Sequence, residues 1–223
     1  MTQQVVKVKT ITSITHDVLQ IVTVKPHNFS FIAGQAVAIS INKPSWENEI
    51  RPFTFTSIPT DSFLEFVVKV YPSHKGVTNE LLTLKIGDSL ILHNVFGAIT
   101  YRGEGVFIAG GAGITPFVSI FRDLRSKNEI GNNKLIFANK TKGDIILERE
   151  LKEMLSKNFI NIIADENIVG YAHGYISESF LKDHISRACE NIYLCGPAPM
   201  MESVEKQLHY LNHKHKTIIK EEF

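Results

Sequence analysis

From the N-terminus to about Tyr101, hydrophobic positions alternate with polar ones at period two: Val6 and Val8, Val22 and Val24, then Leu64, Phe66, Val68 and Val70. Pro26, Gly34, Pro44, Pro59, Gly76 and Gly87 punctuate these runs, as turns between short strands require. Only residues 78–84 have helical spacing there. Such a series predicts a small antiparallel barrel or sandwich. Beyond Gly105 the period changes. Short apolar runs at 134–138, 159–164, Asn191–Cys195 and Thr217–Lys220 alternate with helical patterns. The helical patterns are carried by Phe117, Ile120, Phe121 and Leu124; by Leu147, Leu151, Met154 and Leu155; by Phe180, Leu181 and Ile185; and by Met200, Val204, Leu208 and Leu211. Strands alternating with helices predict crossover units on an open, doubly wound α/β parallel sheet. Two domains are therefore expected, 1–102 and 103–223, divided where Gly103 and Gly105 flank charged residues.

The change of period is concentrated in residues 105–116. Val106, Phe107, Ile108 and Ala109 form an apolar run of the kind found in a strand buried on both faces. Gly110, Gly111 and Gly113 then make a turn without Cβ atoms. Thr115 is placed to cap the next helix, and Pro116 suits its first position. A strand, a glycine turn and a capped helix start form a phosphate-sized receptor, because free N–H groups and the helix dipole converge on it. The spacing differs from the dinucleotide fingerprint Gly-x-Gly-x-x-Gly, since Pro116 stands three residues after Gly113. A second strand-to-helix turn is Cys195-Gly196-Pro197-Ala198-Pro199-Met200. Ligands of open parallel sheets bind beyond the carboxyl ends of the strands, so both turns border one candidate cleft.

Composition narrows the function. The 223 residues are 43% hydrophobic and 21% charged, ordinary for a globular protein. A formal net charge of +1 excludes a dominant attraction to nucleic acid or anionic membrane. Cys189 and Cys195 are too few for a disulfide framework or a four-thiolate iron–sulfur cluster. That points to a reduced, cytoplasmic setting, with no signal peptide and no stable membrane insertion expected. His209, His213 and His215 have no carboxylate or cysteine nearby to complete a ligand set, so no metal is predicted.

Arg51-Pro52-Phe53-Thr54-Phe55-Thr56-Ser57 is the second chemically dense stretch. Arginine grips phosphate bidentately, an aromatic offers a flat face to a planar ring, and the Thr54 hydroxyl can donate to a ring nitrogen. The bland alternative is a barrel strand with a surface arginine. Lys75-Gly76-Val77-Thr78-Asn79 reads as a second phosphate cradle.

Taken in order, Arg-Pro-Phe-Thr at 51–54, Gly-Val-Thr at 76–78, Gly-Gly-Ala-Gly-Ile-Thr-Pro at 110–116 and Cys-Gly-Pro-x-x-Met at 195–200 resemble the ferredoxin–NADP reductase superfamily. Residues 139–147 and His173-Gly-Tyr-Ile176 are similar to the cytochrome b5 reductase and short flavodoxin reductase branches. The resemblance implies an antiparallel barrel binding FAD, followed by a domain binding NADH or NADPH. It assigns Arg51 and Pro52 to the flavin pyrophosphate strand, Phe53 to the isoalloxazine face and Thr54 to a hydrogen bond near N5. Val67, Lys69 and Tyr71 would line other parts of the flavin, and Gly76, Val77 and Thr78 would hold its pyrophosphate. Gly110, Gly111, Gly113 and Thr115 would face the nicotinamide nucleotide, with Cys195, Gly196, Pro197 and Met200 opposite. Glu221 and Phe223 would lie beside the flavin, making Thr54, Cys195 and Glu221 the catalytic candidates.

The resemblance further implies hydride transfer to flavin, then single electrons to an acceptor protein such as flavodoxin, ferredoxin or a haem protein. A nucleotide-sensing subunit and a free-flavin reductase are the alternatives. The chain departs from the family in having Phe53 where tyrosine is usual, in lacking a proline within Asn94-Val-Phe-Gly97, and in having no cysteine-rich domain. Lys140 and Lys142 could meet a ribose 2′-phosphate, whereas Asp144 would repel it; likeness to NADH-preferring relatives favours NADH.

Overall fold

The computed structural model describes residues 3–71, 75–211 and 217–221. Six strands, β1 (Gln4–Thr15), β2 (Val18–Val24), β3 (Ala36–Ile41), β4 (Arg51–Thr54), β5 (Phe63–Lys69) and β6 (Ser89–Phe96), form an antiparallel sheet. Their order is β4-β3-β6-β1-β2-β5. Phe55, just past β4, bridges to Phe66 in β5, so the two edges meet and the sheet closes as a barrel rather than opening into a sandwich. A short helix, α1 (Val77–Glu80), fills the β5–β6 connection.

The barrel interior follows the alternation on most strands: Val6, Val8, Leu64, Phe66, Val68 and Val70 are all buried. On β2 the expected face is inverted. Val24 is 41% exposed, while Leu19, Ile21 and Thr23 point inward. Pairing decides this, because Ile21 lies opposite Phe66 and Thr23 opposite Leu64, and cross-strand partners share a face.

The second sheet is parallel, in the order β10-β9-β8-β7-β11-β12. Its strands are β7 (Gly105–Gly110), β8 (Lys134–Asn139), β9 (Phe159–Ile163), β10 (Ala172–His173), β11 (Asn191–Cys195) and β12 (Thr217–Lys220). Helices α2 (Thr115–Ser126), α3 (Glu148–Leu155), α4 (Glu178–His184) and α5 (Ala198–Tyr210) connect them. The chain walks outward from β7 to β10, then returns to place β11 on the other side of β7. The switch point of the sheet therefore lies between β7 and β11, where both glycine turns emerge.

Helix α2 joins the two halves. Its predicted stripe, Phe117, Ile120, Phe121 and Leu124, is buried against the parallel sheet, but Val118 and Ser119 are buried too. The barrel covers the face that an isolated α/β domain would leave to water. Ser119 Oγ donates to Ser57 O at 2.7 Å. Arg122 donates to Thr56 O at 2.8 Å, to Glu65 Oε1 at 2.5 Å and, from Nε and Nη2, to the two Glu150 oxygens at 2.7 and 2.8 Å. Burial opposes the Arg122 charge, but the Glu150 and Glu65 carboxylates outweigh it and raise the guanidinium pKa further. Between the sheets, the buried Tyr193 hydroxyl accepts from Arg102 N and donates to Gly103 O, each at 2.8 Å.

Arg122→Met would leave Glu65, only 6% exposed, without its counter-charge. Removing one member of a buried pair costs about 3 kcal/mol, so the denaturant midpoint should fall accordingly. A loss under about 1 kcal/mol, the worth of a surface pair, would mean that the joint is held elsewhere.

Candidate active site

At the switch point the two turns pack directly on one another. A Cβ on Gly110 would lie 2.4 Å from Met200 Sδ, one on Gly113 would lie 2.3 Å from Cys195 O, and one on Gly196 would lie 2.7 Å from Met200 Cε. These three glycines are required by loop-on-loop contact. Gly111 is different. With φ at 51° and no atom within 4 Å of its Cβ position, it opens outward.

The cap is also placed differently. A 3₁₀ turn, Gly111–Ile114, runs straight into α2, whose N-cap is Ile114. Thr115 lies inside this helical run and its hydroxyl donates back to Ala112 O at 3.0 Å. The glycines are already helical, so the free N–H groups of the first turn belong to the Gly111 end. Pro197 is the N-cap of α5, with Pro199 in its first turn.

The three catalytic candidates are brought to one seam. Ala36 pairs with Thr54 in β4 and with Phe96 in β6. Next to Phe96, a Cβ on Gly97 would stand 3.3 Å from Ala36 N and 3.4 Å from Glu221 Oε1. Glu221 in turn acts electrostatically on Cys195. Burial, reinforced by Glu221, pushes the Cys195 thiol up to about 12, and burial raises the Glu221 carboxyl. Both groups thus favour their neutral, protonated forms. Among the described residues, Glu221 Oε1 is buried with no hydrogen-bond partner. A buried acceptor left unpaired is costly, and here it lies beside Gly97 of the barrel. Phe223 lies outside the described residues, as do His213 and His215.

The barrel-side candidates divide. Arg51 sits on the edge strand β4, half exposed, with only Ile50 O at 2.7 Å and Glu49 at 3.3 Å as partners. Such an exposed contact is readily exchanged for a ligand phosphate. Pro52 is exposed and Phe53 half-buried at the margin of the barrel core. Gly76 caps α1 with open space around it, and Thr78 is half-buried. Three of these candidates have side chains engaged within the protein itself. The Val77 side chain is 1% exposed and fills the barrel core, leaving only its backbone to a ligand. Val67 is buried in the cluster beneath α2. The Lys69 ammonium is taken up by Asp17 at 2.6 Å and lies 3.8 Å from Asp144. Tyr71 is 45% exposed.

Asp144 also departs from expectation. It closes a capping box with Thr141 and turns its other oxygen toward the barrel. Asp165 and Glu166 also stand at the carboxyl edge of the sheet, just past β9, with Glu166 accepting from Lys142 N at 2.7 Å. Sequence reasoning overlooked them, although an acidic pair ending a predicted strand was a usable signal. The Lys142 ammonium lies over the Tyr171 ring, 5.4 Å from its centroid.

The residues fit two nucleotide-shaped ligands: a buried carboxyl at the seam, open glycines at Gly76 in the barrel half and Gly111 in the parallel-sheet half, and an exposed arginine two residues from a half-buried aromatic. Comparison with known proteins agrees. Residues 3–91 match the family of FAD-binding domains and residues 107–206 the oxidoreductase NAD-binding domain family. NADH-cytochrome b5 reductase 3 of Mus musculus is 29% identical over 191 residues, covering 69% of this chain; the chain spans 64% of that protein's length. Two solved structures share the fold. The cytochrome b5 reductase domain of Ulva prolifera nitrate reductase has a TM-score of 0.84 at 22% identity, covering 99% of this chain and 97% of that one. A ferredoxin NADP+ reductase from Neisseria gonorrhoeae, with bound FAD and NADP, has 0.86 at 17% identity, covering 99% and 98%.

Two outcomes follow. Gly113→Ala should cost about 2 kcal/mol or more through overpacking, whereas Gly111→Ala should cost about 1 kcal/mol from its positive φ alone; equal thermal shifts would contradict the packing account. Raising the Cys195 pKa favours the fold at pH values below the unfolded thiol pKa, and this contribution disappears as pH rises toward about 12. Cys195→Ala should therefore flatten the alkaline loss of stability, and at neutral pH an alkylating reagent should label the half-buried Cys189 before Cys195.

Proposed function

We propose that this chain, which belongs to the ferredoxin–NADP reductase superfamily, is an NADH-dependent FAD enzyme that feeds single electrons to a haem protein. In this reading residues 1–102 hold FAD and residues 103–223 hold the nicotinamide nucleotide. The observation that carries it is that Thr54 pairs with Ala36, Gly97 lies against both Ala36 and Glu221, and Glu221 acts electrostatically on Cys195, which brings the three candidates together from the two halves.

FAD held here would supply the chemistry that turns a two-electron donor into a one-electron source. The protein supplies position and charge. Arg51 neutralises the pyrophosphate, helped by the backbone at Gly76–Thr78. Phe53 offers its ring face, and the Thr54 hydroxyl donates at the reacting edge. Cys195 presents a small neutral thiol, which packs against a ring without placing an anion beside it. Glu221, kept protonated to higher pH than an ordinary carboxyl, holds a proton near the ring edge. Gly111 leaves room for the dinucleotide phosphates.

NADH is favoured over NADPH because Asp165 and Glu166 put negative charge at the carboxyl edge of β9, where a 2′-phosphate would be repelled. Lys142 is drawn toward Tyr171. The haem acceptor is favoured over flavodoxin or ferredoxin because relatives such as the mouse protein are named for cytochrome b5.

Anaerobic rapid mixing of FAD-loaded protein tests this. NADH should bleach the flavin at least tenfold faster than NADPH at equal concentration, and cytochrome b5 should reoxidise it faster than flavodoxin or ferredoxin. Protein that binds FAD but is not bleached by either nucleotide would point to the sensing subunit instead. Flavin lost on brief dialysis, with activity proportional to added flavin, would point to the free-flavin reductase.

A further inference from the structure

Among the described residues, the halves meet at two ionic contacts of different character. One is the Arg122 joint, its side chain only 16% exposed and its donors shared among three partners. The other lies at the β1–β2 turn and the end of β5. There Lys69 Nζ stands 2.6 Å from Asp17 Oδ2 and 3.8 Å from Asp144 Oδ1, while His16 Nε2 is 3.6 Å from Asp17 and 3.7 Å from Asp144. Asp17, Lys69 and His16 belong to the barrel; Asp144 belongs to the loop after β8, at the carboxyl edge of the parallel sheet. The ammonium already fills the place between the carboxylates that a metal ion would need.

The division of labour within Asp144 is informative. Its Oδ2 accepts from Thr141 N at 2.9 Å and from Thr141 Oγ1 at 2.8 Å, which fixes the side chain on its own turn. Its Oδ1 is left for the barrel. Burial works against the charge, but the Thr141 hydrogen bonds, Lys69 and His16 hold the carboxyl below its usual range. The 3.8 Å separation from Lys69 is about 1 Å longer than a charge-assisted hydrogen bond, so this contact has room to tighten where the Arg122 contacts have none.

We propose that Asp144, acting through Lys69, is a positioning residue that clasps the nucleotide-binding half to the barrel and sets the gap across which the reacting rings meet. This rests on the function proposed above. Arg122 fixes one side of the seam, and the Lys69–Asp144 pair trims the other. Catalysis is sensitive to such trimming, since a misplacement of about 1 Å can cost up to about 100-fold in rate. The clasp includes the 64%-exposed His16 and the longer 3.8 Å Lys69–Asp144 contact, so salt weakens it, while the short Arg122–Glu65 contact, 16% and 8% exposed, is screened less.

Asp144→Asn tests this, because the amide oxygen can still accept from Thr141 while the charge facing Lys69 is lost. FAD retention and unfolding midpoint should stay close to wild type. Flavin reduction at saturating NADH should slow roughly tenfold, a size within the range of small misplacements, and 0.5 M salt, a strongly screening concentration, should slow the wild type but not the variant. Hydrogen exchange without any ligand should quicken together at residues 15–18 and 141–145, and Lys69→Met, which leaves the Thr141 cap untouched, should produce the same exchange pattern. Wild-type reduction rate and salt response in Asp144→Asn, or exchange that quickens on one side only, would overturn the clasp. Wild-type protein that ignores NADH would sink the functional reading, and the ligand-free exchange comparison would still decide the clasp.

Discussion

Everything in the molecule depends on a guanidinium held between carboxylates at the face where a barrel meets a parallel sheet. Arg122 projects from α2, the first helix of the second sheet, and binds Glu65 from the barrel and Glu150 from α3. Taking such charges out of water is costly, and only the full set of hydrogen bonds repays it. The halves therefore dock in one orientation. That orientation aims the open end of the parallel sheet at β3, β4 and β6 of the barrel.

Two consequences follow for chemistry. The switch point between β7 and β11 is filled by tight loop contact, in which Gly110, Gly113 and Gly196 accept neighbours at distances that no side chain would tolerate. Free space is displaced outward to Gly111 and toward the seam. Along the seam, burial keeps the Cys195 thiol protonated and makes the Glu221 carboxyl hold its proton more tightly than an ordinary carboxylate does. A neutral thiol against a ring puts no fixed anion beside charge that forms during the reaction.

Much of this was legible in the sequence. The apolar run at 106–109 reports burial that depends on one strand and its immediate neighbours, and the structure follows it; Leu64, Phe66, Val68 and Val70 are buried as their period two predicts, but Glu65 and Val67 between them are buried too. Ordered motifs gave the family. The misreadings share a cause, which is that they turn on partners distant in sequence. The inverted face of β2 is set by its register with β5. The burial of Val118 and Ser119 on α2 needs the barrel. The glycines of the β7 turn answer to Met200 and Cys195. Asp144 and Lys69 were assigned to two different ligands, yet they point toward each other. In each case local pattern identified a chemically special residue and tertiary contact chose what it touches.

The most direct measurement is a crystal structure of the protein grown with FAD and NAD+. The isoalloxazine ring should lie against Phe53 with Thr54 at its N5 edge, and the nicotinamide should stack on it from the Cys195 side with Glu221 beside both. A flavin bound elsewhere, or a nicotinamide more than a ring's width from Cys195, would contradict the claim that the docking of the two halves creates the reaction site.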